Sequence, residues 1–222
     1  MAQLVLPGNP LLVDGRKKEV DPSRLDIPFT TRGKTNPKKE FRLALRAKTA
    51  TDAVGDIYPD CDIYGLTKGQ FDLRFLLAAV LKQTGPADLT ISTWTCSAAD
   101  VEDIASWGPK GMITSCRWVM DYSFQRREPK EAQAIRKAFG TDSIRITKTH
   151  AKFYLITNPA WNIAVRTSAN LNMNPRTEDF NIVEDQRVVE FLSVFVDSIF
   201  KAQRSSDIDK SPYEQVKQWE RL

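Results

Sequence analysis

The stretch SIRITKTHAKFYLITNPAWNIAVRTSAN, residues 143–170, decides how the rest of the chain is read. Its first half is strand-like throughout and predicts a strand over 143–156. Alternation puts Ile144, Ile146, Lys148, His150, Lys152 and Tyr154 on one face and Thr147, Thr149, Ala151, Phe153 and Leu155 on the other. TNPAWN (157–162) is a turn signal and NIAVRTS (162–168) a partner strand, so a hairpin near the sheet's edge is expected. On the partner strand Ala164, Arg166, Ser168 and, with continued extension, Asn170 share a face. Imidazole, ammonium, hydroxyl and carboxamide groups collected in one place suit a phosphate. Lysine brings a compact charge, asparagine a directed donor, and histidine a nitrogen that attacks phosphorus or protonates a leaving oxygen.

Outward from that stretch, helix and strand periods alternate. Thr67 and Gln70 read as a capping box for a helix carrying Phe71, Phe75, Leu76 and Val80 on one side, ended by Gly85-Pro86. DLTISTWT (88–95) and MITSCRWVMD (112–121) read as strands, with Ser97 as the N-cap of a helix between them. EPKEAQAIRKAFG (128–140) is a helix with proline near its start and Gly140 at its exit. Strands separated by such helices imply βαβ units and a mostly parallel sheet. FNIVE (180–184) leads into a strongly apolar closing helix, and SPYEQVKQWERL reads as a short appended one for packing or dimer contact. Trp94, Trp107 and Trp118 lie in apolar elements and are assigned to the core.

Composition bounds the possibilities. With 222 residues, 41% hydrophobic, the chain holds one large domain that needs neither disulfides nor structural metal to bury a core. Cys61, Cys96 and Cys116 are odd in number and show no CxxC or Cys/His grouping, which argues against a secreted disulfide framework and a zinc site and favours a reducing cytosol. No apolar run approaches the roughly 18–20 residues a membrane span needs, so stable membrane association is not expected. Residues 1–50 hold eleven Lys/Arg against five acids, two clusters punctuated by Pro22, Pro28 and Pro37. They read as a basic, partly extended arm able to neutralise phosphates. The domain proper is set at 51–204 and a tail or short helix at 205–222. A single histidine means that two-imidazole chemistry cannot come from one copy.

HAK at 150–152, TSAN at 167–170 and NPRTEDFNIV from 174 resemble the phospholipase D superfamily, whose signature is HxKxxxxD, then GSxN and a downstream glutamate. The resemblance covers most of residues 67–200. It implies an α/β sandwich, a mixed and mostly parallel sheet flanked by helices, with one half-site per chain. His150 would be the nucleophile, or on the opposing copy the acid; Lys152 and Asn170 would hold phosphoryl oxygens, Ser168 would support that loop, and Glu178 would accept a hydrogen bond from the second imidazole nitrogen. Arg166 and Arg176 would extend the positive rim. The family aspartate is replaced by Thr157 and the glycine of the GS pair by Thr167.

The implied activity is metal- and cofactor-independent phosphodiester hydrolysis by a homodimer, on nucleic acid ahead of lipid and DNA ahead of RNA. The competing expectation is a catalytically degenerate nucleic-acid-binding or scaffold protein.

Overall fold

The computed structural model describes residues 38–172, 175–204 and 210–220. Most of the basic arm, and Asn174, lie outside the described residues.

The strands are β1 (Lys38–Leu43), β2 (Cys61–Thr67), β3 (Ala87–Thr93), β4 (Ile113–Asp121), β5 (Ile144–Thr147), β6 (Phe153–Asn158), β7 (Trp161–Thr167) and β8 (Glu178–Glu184). They form one sheet in the order β1-β2-β8-β7-β6-β3-β4-β5. The α/β class with a helix-flanked mixed sheet is as expected, but the sheet is not mostly parallel: three ladders are parallel and four antiparallel. Parallel pairing joins β1 to β2 and runs through β3, β4 and β5. The four other ladders, β2–β8, β8–β7, β7–β6 and β6–β3, are antiparallel. The balance follows from connection length: α3 (Ala98–Trp107) and α5 (Pro129–Phe139) return the chain to parallel strands, whereas a two-residue turn joins β6 and β7.

Helices cover both faces. On one, α1 (Ala50–Val54), α2 (Leu73–Thr84), α3 and α5 bury Val80, Ile104 and Ile135 against Ile91, Trp118 and Tyr154. On the other, α6 (Gln186–Ala202) sets Val189, Val196 and Ile199 on Val119, Phe153, Leu155 and Ala164, and Trp219 of α7 (Pro212–Glu220) packs beside them. Trp219 Nε1 donates to Ser198 Oγ at 2.8 Å, so the appended helix is a packing element.

Several local expectations change. The strand predicted over 143–156 is two strands: β5 lies at the sheet's end beside β4, while β6 lies beside β3. Residues 148–152 carry no large apolar side chain to bury, and the chain uses them to cross the ends of β4 and β3. The hairpin 158–161 is therefore central in the sheet, not at its edge. Thr67 ends β2 instead of capping a helix; α2 starts at Leu73. The Gln70 amide instead donates to Ala44 O at 2.7 Å, holding the turn after β1. Phe75 faces solvent at 53% exposure. β1 falls inside the segment the sequence reading gives to the arm. The Ser97 cap is found, with Asp100 completing a capping box, as are Pro129 at the start of α5 and Gly140 at its exit.

Gly65 is tightly enclosed. It faces Phe180 across the β2–β8 ladder, and a Cβ there would overlap the buried Phe180 ring. Gly65→Ala is expected to destabilise the fold by about 1–3 kcal/mol through overpacking, read as a lower urea midpoint at unchanged m.

Candidate active site

The site lies where the chain crosses beyond the carboxyl ends of the parallel strands. The crossing is pinned at three points: Tyr122 N donates to Thr147 O at 2.9 Å, Ser92 Oγ to Ala151 O at 3.0 Å, and Ala151 N to Thr149 Oγ1 at 3.1 Å. It presents His150 to solvent and Lys152 half-buried. The two side chains meet, but through a loop and not through strand alternation. Lys152 Nζ stands 3.3 Å from His150 Nδ1 and donates to His150 O at 3.1 Å.

An ammonium only donates, so at Nδ1 it meets a lone pair, and the neutral ring then carries its proton on Nε2. Burial pushes the Lys152 pKa down, and the negative charge of Glu178 opposes the shift.

The second wall is the end of β7 and the start of β8. The Ser168 hydroxyl donates to the Glu178 carboxylate. Ser168 N donates to Asp179 Oδ1 at 2.9 Å, and Asp179 N to Ser168 Oγ at 3.1 Å. At His150 Nδ1, where the resemblance implies Glu178, the structure places Lys152. Lys152, Arg166 and Ser168 line an open cleft of about 740 Å³. Asn170 and Glu178 line a smaller neighbouring cavity with Asn172, and Thr167 and Asp179 border both. The Asn170 side-chain oxygen is buried there with no hydrogen-bond partner. Arg166 donates to Asn181 Oδ1, and Arg176 is exposed on the loop before β8. Among the described residues no group of three or more His, Cys, Asp or Glu stands together to hold a metal ion.

Both departures from the motif have structural counterparts. The Thr167 hydroxyl donates to Asp179 O at 2.5 Å and accepts from Ala169 N at 3.0 Å, tying the Ser168 loop to β8. Thr157 is followed by Asn158, which does the turn-holding that the substituted aspartate would have been expected to do. Its amide donates to Thr84 O and Pro86 O at 3.0 and 3.1 Å, and its oxygen accepts from Ala160 N and Trp161 N, both at 2.9 Å. Thr167→Val removes two hydrogen bonds at constant shape, with an expected cost of about 1–3 kcal/mol. The parallel variant Thr167→Ser should keep stability near wild type.

Two residues were missed in the sequence. Trp94 is half-buried beside the site instead of lying in the core with Trp107 and Trp118. Its ring centroid is 5.8 Å from that of His150, and the Arg127 guanidinium lies over it at 3.9 Å. Arg127 also donates to Trp94 O at 3.0 Å and to Ser123 Oγ at 3.0 Å. The available signal was position: Trp94 directly follows a strand of the parallel group, and ligands gather beyond such carboxyl ends. Lys148 pairs with Glu220 of α7 at 2.8 Å.

Fold and site together define a mixed α/β protein that gathers one imidazole, one ammonium, one hydroxyl and one carboxylate at its strand ends. No family model matches the chain, and no curated protein matches it. Among solved structures it is similar to the crystal structure of polyphosphate kinase from Porphyromonas gingivalis, at 15% identity and a TM-score of 0.43. The match covers 63% of this chain and 26% of that one, about a quarter of the kinase's length. No helix of the described residues is long and apolar enough to cross a membrane.

Proposed function

We propose that the protein is a phosphodiesterase of the phospholipase D type, nuclease-like, working through a phosphohistidine at a site shared by two subunits. The observation that carries this reading is the exposed His150 beside Lys152, whose cleft is also lined by Ser168, the partner of Glu178. In the first step one His150 nitrogen attacks phosphorus and the bond to the leaving oxygen breaks. The partner's His150, holding a proton, gives it to that oxygen. In the second step water attacks the phosphohistidine, its proton passes to the partner's His150, and His150 is released. Lys152 balances charge on the non-bridging oxygens, and no step needs a metal or organic cofactor. An incoming phosphate competes for the Lys152 ammonium, which frees Nδ1 of the attacking ring.

The single histidine and its exposure favour a homodimer with the two rings about a two-fold axis. Nucleic acid, DNA ahead of RNA, is the proposed substrate because the first 50 residues are strongly basic and the motif resembles the nuclease branch. Three buried free cysteines suit a reducing, cytoplasmic setting.

The test is cleavage of an oligonucleotide and of bis(p-nitrophenyl) phosphate in excess chelator, with acid-labile, base-stable label trapped on the protein by rapid quenching. Turnover that needs an added metal, or no trapped label under burst conditions, overturns the mechanism. Salt-sensitive binding without turnover points to the degenerate scaffold. Because burial lowers the Lys152 pKa, the rate should fall on the alkaline side as its proton leaves. That limb should begin below the ordinary lysine value of about 10.4, and Lys152→Arg should move it upward.

A further inference from the structure

The cleft that holds Lys152 and Ser168 opens onto a part of the sheet that α6 leaves uncovered. One row of cross-strand neighbours runs over it: Phe41, Tyr64, Asn181 and Arg166 are successive register partners on β1, β2, β8 and β7. Phe41 is 80% exposed and Tyr64 39%. A buried role explains neither, since both rings lie on the solvent side of a finished sheet. Adjacent strands stand about 4.8 Å apart, so the two ring-bearing positions are neighbours on the same face of the sheet. Phe153 is the next partner after Arg166 in that row, and Lys152, just before it, lines the same cleft as Arg166.

We infer that this row is the binding track for a single-stranded polynucleotide, with Phe41 and Tyr64 as stacking platforms for unpaired bases and Arg166 and Lys152 guiding the backbone to the reacting phosphate. The inference rests on the phosphodiester reading of the site and adds the form of the substrate. Charge supports it: residues 38–48 carry Lys38, Lys39, Arg42, Arg46 and Lys48 against Glu40 alone. Four of those five cations are exposed. A basic edge beside exposed rings complements a strand whose phosphates and base faces are both accessible, whereas a duplex hides its base faces within the stack. The polar Asn181 and Arg166 in the same row are less suited to an apolar self-interface.

The test reads binding in excess chelator on the His150→Ala background, where the probe stays intact whatever the outcome for catalysis. The probes are a labelled 12-nucleotide single strand and its duplex, followed by anisotropy. The single strand should bind more tightly than the duplex. Phe41→Ala and Phe41→Leu should each weaken single-strand binding about tenfold or more, while Phe41→Tyr keeps it. Tyr64→Phe should keep affinity and Tyr64→Leu lose it. Preference for the duplex, or Phe41→Leu binding like the parent protein, overturns the inference. A shift from dimer to monomer on Phe41→Ala with unchanged binding overturns it too and assigns the face to a second copy. Turnover of the wild type is scored separately, so absent hydrolysis with intact ring-dependent binding would sink the enzymatic reading alone.

Discussion

His150→Ala should lower phosphodiester turnover by about 10⁴-fold or more while leaving the fold within about 0.5 kcal/mol of wild type. The loss is large because in the proposed mechanism the imidazole supplies both the nucleophile and the acid. The fold is spared because the side chain is exposed, on a loop held through backbone and threonine contacts. Mixed dimers sharpen the result. If each site needs both rings, random pairing of equal amounts of wild type and His150→Ala leaves about one quarter of the dimers active. One ring sufficing would leave about half of the activity. With one histidine per chain, imidazole ¹⁵N resonances report a single residue, so the Nε2–H tautomer expected from the Lys152 contact is directly observable. Adding inorganic phosphate should shift those resonances as Lys152 is drawn away.

The second large effect is structural. Asp100→Ala should destabilise the protein by about 3–5 kcal/mol, seen in urea unfolding. Asp100 is 1% exposed, and its carboxylate accepts from Ser97 N at 2.6 Å and Ser97 Oγ at 2.8 Å. Its other oxygen lies 2.8 Å from Arg74 Nε, an ion pair whose N–H is out of line for a hydrogen bond. Arg74 also pairs with Asp72 at 2.5 Å and Asp103 at 3.3 Å, so α2 and α3 are joined through one guanidinium. Truncating Asp100 removes a helix cap and strips a partly buried cation of its most deeply buried partner. The capped segment follows Trp94 by three residues, so the milder Asp100→Asn should couple lost stability to a looser His150 wall and reduced turnover.

The candidate site residues were legible because they are local in type. HAK, SAN and Glu178 are rare as an ordered set, and the structure brings His150, Lys152, Ser168 and Glu178 into one neighbourhood. What misled was continuity: a period-two pattern from Ile144 to Tyr154 looks like one strand whether or not the chain changes partners halfway. Nothing within those residues records that β3 and β4 lie between β5 and β6. The roles of Glu178 and Lys152 at the imidazole differ from expectation for the same reason. Hydrogen-bond partners depend on where a loop runs, not on spacing in sequence. Thr67 shows the limit of cap rules, since its Ser/Thr-x-x-Gln pattern ends a strand here and its glutamine braces another loop.

By itself the sequence determined the α/β class, the one-histidine stoichiometry and the residue types offered for a phosphate site. These are set by composition, periodicity and residue chemistry along short windows. Only the tertiary structure decided the strand order, the crossing that turns His150 outward, the Trp94–Arg127 wall and the uncovered row of Phe41 and Tyr64. Each of those joins residues far apart in the chain, and which distant surfaces meet is fixed by packing both faces of one sheet at once.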